Sequence, residues 1–214
     1  MGLMQNGILD SFTGKVGTVV GTTWKGKPVL RAIQKRKKNR KSTQAQQEQR
    51  AKFAMGSVYL QQLTPLLNIT FGNYAKEQTA GNTAFSHMLR NAITGVYPDY
   101  TLDWPVLLVS KGKLPLPKNP VAAAEAGKIT FNWLAEINAD ATGIKPTDRS
   151  VLVVICPKLQ QCMYTTLGAS RSVGTAAIDV ANFAGNEVHT YFAFVSEDGK
   201  KVSNSVYTGM QTMP

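Results

Sequence analysis

Residues 34–42 read QKRKKNRKS, nine positions without one apolar side chain. Such a segment has nothing to bury, so no core runs through it. Six of the seven residues from 35 to 41 are basic: Lys35, Arg36, Lys37, Lys38, Arg40 and Lys41. Most of the chain's net charge of +11 gathers around this run. Residues 1–52 hold twelve Lys and Arg against two acids, and residues 53–214 hold twelve against eleven. A near-neutral body with a basic arm points to an acidic partner.

Three uses of the run are open on charge alone. Lys and Arg neutralise phosphates and release counterions, which gives salt-sensitive, sequence-independent binding to DNA or RNA. The same charges clamp an acidic protein surface. A solvated tail is the third reading. No aromatic residue interleaves the run, so base stacking is not indicated. No apolar face lies beside it, so a membrane surface is not expected.

The remainder is long enough for a sizeable core, and a hydrophobic share of 43% is ordinary for a globular chain. No apolar run approaches the roughly 20 residues of a membrane-spanning helix. The start, MGLMQNGILDSF, lacks the basic leader and apolar run of a secretory signal. A cytosol-like compartment is therefore expected, as host cytoplasm or an assembled particle. There, Cys156 and Cys162 are expected as two small buried or half-buried thiols rather than a disulfide or a zinc site.

Periodicity predicts an α+β chain in two parts, 1–103 and 104–214. Residues 12–33 read as a hairpin with Lys25-Gly26-Lys27-Pro28 at its turn. Gly14, Gly17 and Gly21 are too frequent for a comfortable central strand. Thr43 and Gln46 have the spacing of a capping box, and a helix is expected from Gln44 towards Leu63, with Phe53, Tyr59, Leu60, Leu63 and Leu67 on its apolar side. Pro65 bends or ends it. A second helix is expected from Thr83 to Ile93, stopped by Gly95. From 104 onward seven short strand candidates follow, at 106–110, 128–134, 150–156, 162–167, 175–180, 187–196 and 201–209. Seven short strands with regular turn signals are the pattern of a β-sandwich.

Residue chemistry points away from an enzyme, with no cofactor or metal expected. His87 and His189 have no acid or cysteine at ligand spacing and are expected to be structural. GASRS around Ser170 lacks the flanking glycines of a nucleophile elbow. Glu136, Asp140 and Asp148 match no calcium loop and are expected at the solvated surface.

Two resemblances add to this. Trp133 and Tyr191, with the strand pattern around them, resemble the core tryptophan and corner tyrosine of a fibronectin-type-III or immunoglobulin-like sandwich. GKVGTVVGTTWKGKPVLR (14–31), the basic run, TQAQQEQRAKF (43–53) and DGKKVSNSVYTG (198–209) resemble a family of uncharacterised proteins, of unknown function, from gut bacteria and their phages. The resemblance and the basic arm together imply a structural virion protein of a tailed phage or prophage, such as an auxiliary capsid, ring or connector component. Its partners would be other virion proteins, with DNA as a further candidate, in an oligomeric assembly. A non-specific nucleic-acid-binding accessory protein and an adhesion or carbohydrate-binding module are the alternatives.

Overall fold

A computed structural model of the chain describes residues 2–3, 13–24, 26–33, 41–74, 78–135 and 143–214. They form two compact units, Met1–Thr43 and Gln44–Pro214. The boundary expected near residue 104 falls inside the second unit.

The first unit holds a four-stranded antiparallel sheet. Its strands are β1 (Gly2–Leu3), β2 (Gly14–Val16), β3 (Val19–Trp24) and β4 (Lys27–Ala32), in the order β1-β4-β3-β2. The expected hairpin is there as β3 and β4, but Trp24 pairs with Lys27, so the chain reverses between those two residues, ahead of Pro28. Pro28 lies within β4, opposite Thr23, and takes no part in the reversal. The expected first arm is two strands rather than one. Val16 pairs with Val19 across Gly17-Thr18, and Gly17 holds φ +56, the left-handed conformation a two-residue hairpin turn requires.

The second unit opens with α1 (Gln44–Gln62), α2 (Thr64–Thr70) and α3 (Ala80–Asn91). Pro65 falls in the first turn of α2, where its missing N–H leaves no bond unmade. Phe53 departs from expectation: it is 56% exposed, while α1 buries the expected Leu60 together with Gly56. α3 starts earlier than expected because Thr79 caps it, its Oγ1 accepting the Asn82 N–H. Ala80, Ala84 and Met88 form its buried stripe. The helix stops at Ala92, not Gly95. A two-stranded hairpin follows, β5 (Ile93–Val96) and β6 (Asp99–Leu102), in which Gly95 has φ +90.

Seven strands follow: β7 (Val121–Glu125), β8 (Lys128–Asn132), β9 (Arg149–Cys156), β10 (Gln161–Thr165), β11 (Thr175–Asp179), β12 (Glu187–Val195) and β13 (Val206–Thr212). The 106–110 segment is not one of them. A 3-10 turn at Trp104–Val106 leads into an irregular stretch that buries Leu107 and Val109. β7 was not expected, since VAAAE carries little β-branched signal.

These strands make two antiparallel sheets, β10-β9-β12-β13 and β11-β8-β7. The four-stranded sheet is covered on both faces. Val151, Val153 and Ile155 of β9, with Tyr191 and Ala193 of β12, meet Leu60, Leu63, Leu67, Phe71 and Met88 of the helical segment. The alternate residues Leu152, Val154, Cys156, Phe192 and Phe194 meet Ile129 and Phe131 of β8 and Ile178 of β11. Side chains alternate across a strand, so a strand covered on both sides is apolar at nearly every position. That explains SVLVVIC in β9. Each fully buried Leu, Ile, Val or Phe contributes roughly 1.5–3 kcal/mol, so most of the stabilisation comes from these two layers.

Candidate functional site

Of the six residues of the basic run, Lys35, Arg36, Lys37, Lys38 and Arg40 lie outside the described residues. Lys41 is exposed, three residues before α1 begins.

The neighbouring sheet carries further charge, and its register decides where. Lys15 pairs with Val20, and Val20 with Arg31; Thr22 pairs with Val29, and Trp24 with Lys27. Cross-strand partners share a face, and alternate residues along a strand share it too. Lys15, Val20, Thr22, Trp24, Lys27, Val29 and Arg31 therefore lie on one face of the sheet, with Val29 buried. Val16, Val19, Leu30 and Ala32 lie on the other. Trp24 is 55% exposed and Val16 61%. The first face sets three cations and Trp24 around the apolar Val20 and Val29, and the second carries no charged residue on β2, β3 or β4. No aromatic lies within the basic run; the pairing register places Trp24 among Lys15, Lys27 and Arg31.

The other expected site residues are absorbed into the second unit. His189 on β12 is buried. Its ring stacks on Trp104 at 4.2 Å between centroids, and its Nδ1 lies 2.9 Å from the Tyr207 hydroxyl. Burial pushes its pKa down to about 4. Tyr191 is not a corner tyrosine: its hydroxyl donates to the Trp104 carbonyl at 2.9 Å, which ties β12 to the turn below the helices. Trp133 sits beyond the end of β8, packs on Phe192 and Phe194, and donates from Nε1 to the Arg171 carbonyl at 2.9 Å.

Asp148 is a correction. It is fully buried, not solvated, beside the equally buried Arg171. Its carboxyl is pushed up by burial, against the pull of the Lys145 N–H and the Arg171 guanidinium. Glu136 and Asp140 lie outside the described residues. The Ser170 hydroxyl pairs with that of Ser172. Among the described residues no group of three or more His, Cys, Asp or Glu is placed to hold a metal ion, and no helix is long and apolar enough to cross a membrane.

Cys156 and Cys162 are free thiols. Cys162 pairs with Ile155, so it shares the helix-facing side of the sheet, whereas Cys156 faces the three-stranded sheet. Burial pushes the Cys162 thiol up to about 12.

The comparisons with known proteins bear on the whole chain. Residues 11–209 match the model of a family of unknown function, DUF6266. The chain belongs to that family. No curated protein matches it. Among solved structures, the fn3 domain of human collagen alpha-1(XX) chain is similar over 49% of this chain and 90% of that domain, at 14% identity and a TM-score of 0.34. A likeness at that score carries no argument about what this family member does.

Proposed function

We propose that this chain is a structural assembly component held in place through residues 1–43. Its specific form is an auxiliary capsid, ring or connector protein of a tailed phage or prophage virion, acting in the particle or in host cytoplasm. One observation carries the reading: a small sheet gathers Lys15, Lys27, Arg31 and exposed Trp24 on one face and presents exposed Val16 and Val19 on the other. Such a two-faced unit suits a clamp between an acidic surface and a neighbouring subunit. The three-residue β2 lies at the sheet edge, where strand addition from a neighbour would occur. The body then serves as the rigid, packed part. Strands β7, β8 and β11 facing β9, β10, β12 and β13 are read as an immunoglobulin- or fibronectin-like sandwich with helices added on its outer side.

The test compares the full chain with a variant carrying Gln at Lys35, Arg36, Lys37, Lys38, Arg40 and Lys41. Sedimentation velocity is run on each, alone and with heparin as a model polyanion. The expected result is salt-sensitive association that the variant loses. A monomer that binds no polyanion at low salt would overturn the proposal.

Trp24 among Lys15, Lys27 and Arg31 also favours a second reading, a non-specific nucleic-acid-binding accessory protein. Aromatic stacking and backbone neutralisation together are the chemistry of sequence-tolerant binding. Preference for an oligonucleotide over a carboxylate polyanion of equal charge would favour it.

A further inference from the structure

A second charged feature lies in the body, far along the sequence from the basic run. Two adjoining pockets of about 420 and 310 Å³ share Tyr74 and Lys111 in their walls. The first is completed by His87 and Arg90 of α3, and the second by Lys113 and Lys201. Four Lys and Arg thus border the space, and none of the described lining residues is an acid. Asp198 is close in sequence, but its carboxylate is turned into its own hairpin, accepting the Ser196 hydroxyl and the Lys200 N–H.

The walls are fixed in place. The Lys111 N–H donates to the Thr70 carbonyl at 3.2 Å, and Leu114 donates to Val202 at 2.9 Å. Gly112 lies so close to the chain opposite that a Cβ there would stand 2.0 Å from the Val202 carbonyl oxygen. Residues 111–114 are therefore clamped against 202–204, with Lys111 and Lys113 two apart in the same wall. Tyr74 is 52% exposed, with the Lys111 ammonium 4.5 Å from its ring centroid. His87 Nδ1 is buried with no hydrogen-bond partner among the described residues, and burial pushes the ring's pKa down, with the positive charges of Lys111 and Arg90 adding to that. Lys111 thus borders both pockets, Arg90 the first and Lys113 and Lys201 the second, with no acid among the described lining residues.

We propose that this cleft binds a nucleotide, its phosphate held by Lys111, Lys113, Lys201 and Arg90 and its base laid against Tyr74. Like charges brought together repel, and a phosphate between them relieves that repulsion. An aromatic ring at the rim adds stacking to any base. A bare carboxylate ligand would leave Tyr74 unused. The nucleotide is either free or one unit of a single strand, and the experiment separates these.

Binding is measured on the full chain in which the six residues of the basic run are Gln, so the outcome is independent of the role proposed for that run. Fluorescence anisotropy follows a fluorescein-labelled oligo(dT), and calorimetry follows AMP. Lys111→Gln and Tyr74→Leu are made in the same background, and thermal melts confirm that these surface changes leave the fold intact. Expected is binding of one or both probes that each variant weakens by about tenfold, the size of one stacking or charge contact. AMP binding identifies a free nucleotide as the ligand, and oligo(dT) binding without AMP binding identifies a strand. Equal binding of polyglutamate, indifference to Tyr74→Leu, or no binding of either probe at low salt would overturn the proposal.

Discussion

The Arg171 Nε lies 3.4 Å from the Asp148 Oδ2, and both side chains are buried completely. The Arg171 main-chain N–H also donates to the Asp148 carbonyl at 2.7 Å, and its guanidinium donates to the Pro115 carbonyl at 3.0 Å. The guanidinium carbon stands 3.8 Å from the Phe194 ring centroid. Three remote stretches of chain, at 115, 148 and 171, meet around one cation.

Removing one member strands the other in a low-dielectric site. Arg171→Met is expected to cost about 3–5 kcal/mol, measured by urea denaturation. The double variant Arg171→Met with Asp148→Leu is expected to recover a large part of that loss. Equal losses in single and double variants would show that packing, not charge, holds the site.

His189 makes stability depend on pH. Its folded pKa is near 4, below the ordinary value of 6.5, because it is buried against Trp104. Between those values the unfolded chain binds a proton that the folded chain refuses, so stability rises with pH across the window and falls as the medium is acidified from about 6.5 towards 4. Denaturation midpoints of the wild type and His189→Phe, followed across that window, should diverge as pH falls, with the variant flatter. Parallel curves would contradict this.

The two cysteines should behave as inert thiols. They lie on opposite faces of one sheet, so no rotation of side chains brings the sulfurs together. A thiol titration with Ellman's reagent is expected to be slow in the native state and to release two equivalents on unfolding. A native disulfide under oxidising conditions would contradict the register of β9 and β10.

Two glycines distinguish tight from adaptable contacts. A Cβ at Gly112 meets backbone, the Val202 carbonyl, which cannot move without shifting the 202–204 segment. Gly112→Ala is expected to cost about 3 kcal/mol. A Cβ at Gly56 meets the tip of Met88, 1.9 Å away, which can rotate aside. Gly56→Ala also gains helix propensity of about 1 kcal/mol, so its net effect is expected within about 1 kcal/mol of zero. Thermal melts of the two variants check the contrast.

Much of the fold was legible in the sequence, and the reasons differ by element. α1 was legible because its length and its start at Gln44 are local properties. β9 and β12 stood out as apolar runs, although their burial on both sides was not readable without knowing that helices cover one face. The 106–110 run has the same apolar character, yet it packs as an irregular segment; periodicity cannot separate these cases in so short a run. β7 was missed because alanines carry no strand signal. Arg171 was missed because nothing local in GASRS marks an arginine for burial. The cationic cleft and the Lys15, Trp24, Lys27, Arg31 face share one cause: each unites residues that only tertiary contact or strand register brings together.

The proposed assembly role is tested most directly by mass spectrometry of gradient-purified particles from the source culture, quantifying this chain against the major shell protein. The predicted result is a fixed copy ratio in intact particles, whose value distinguishes shell decoration from a ring or connector. Absence of the chain from purified particles would contradict the role.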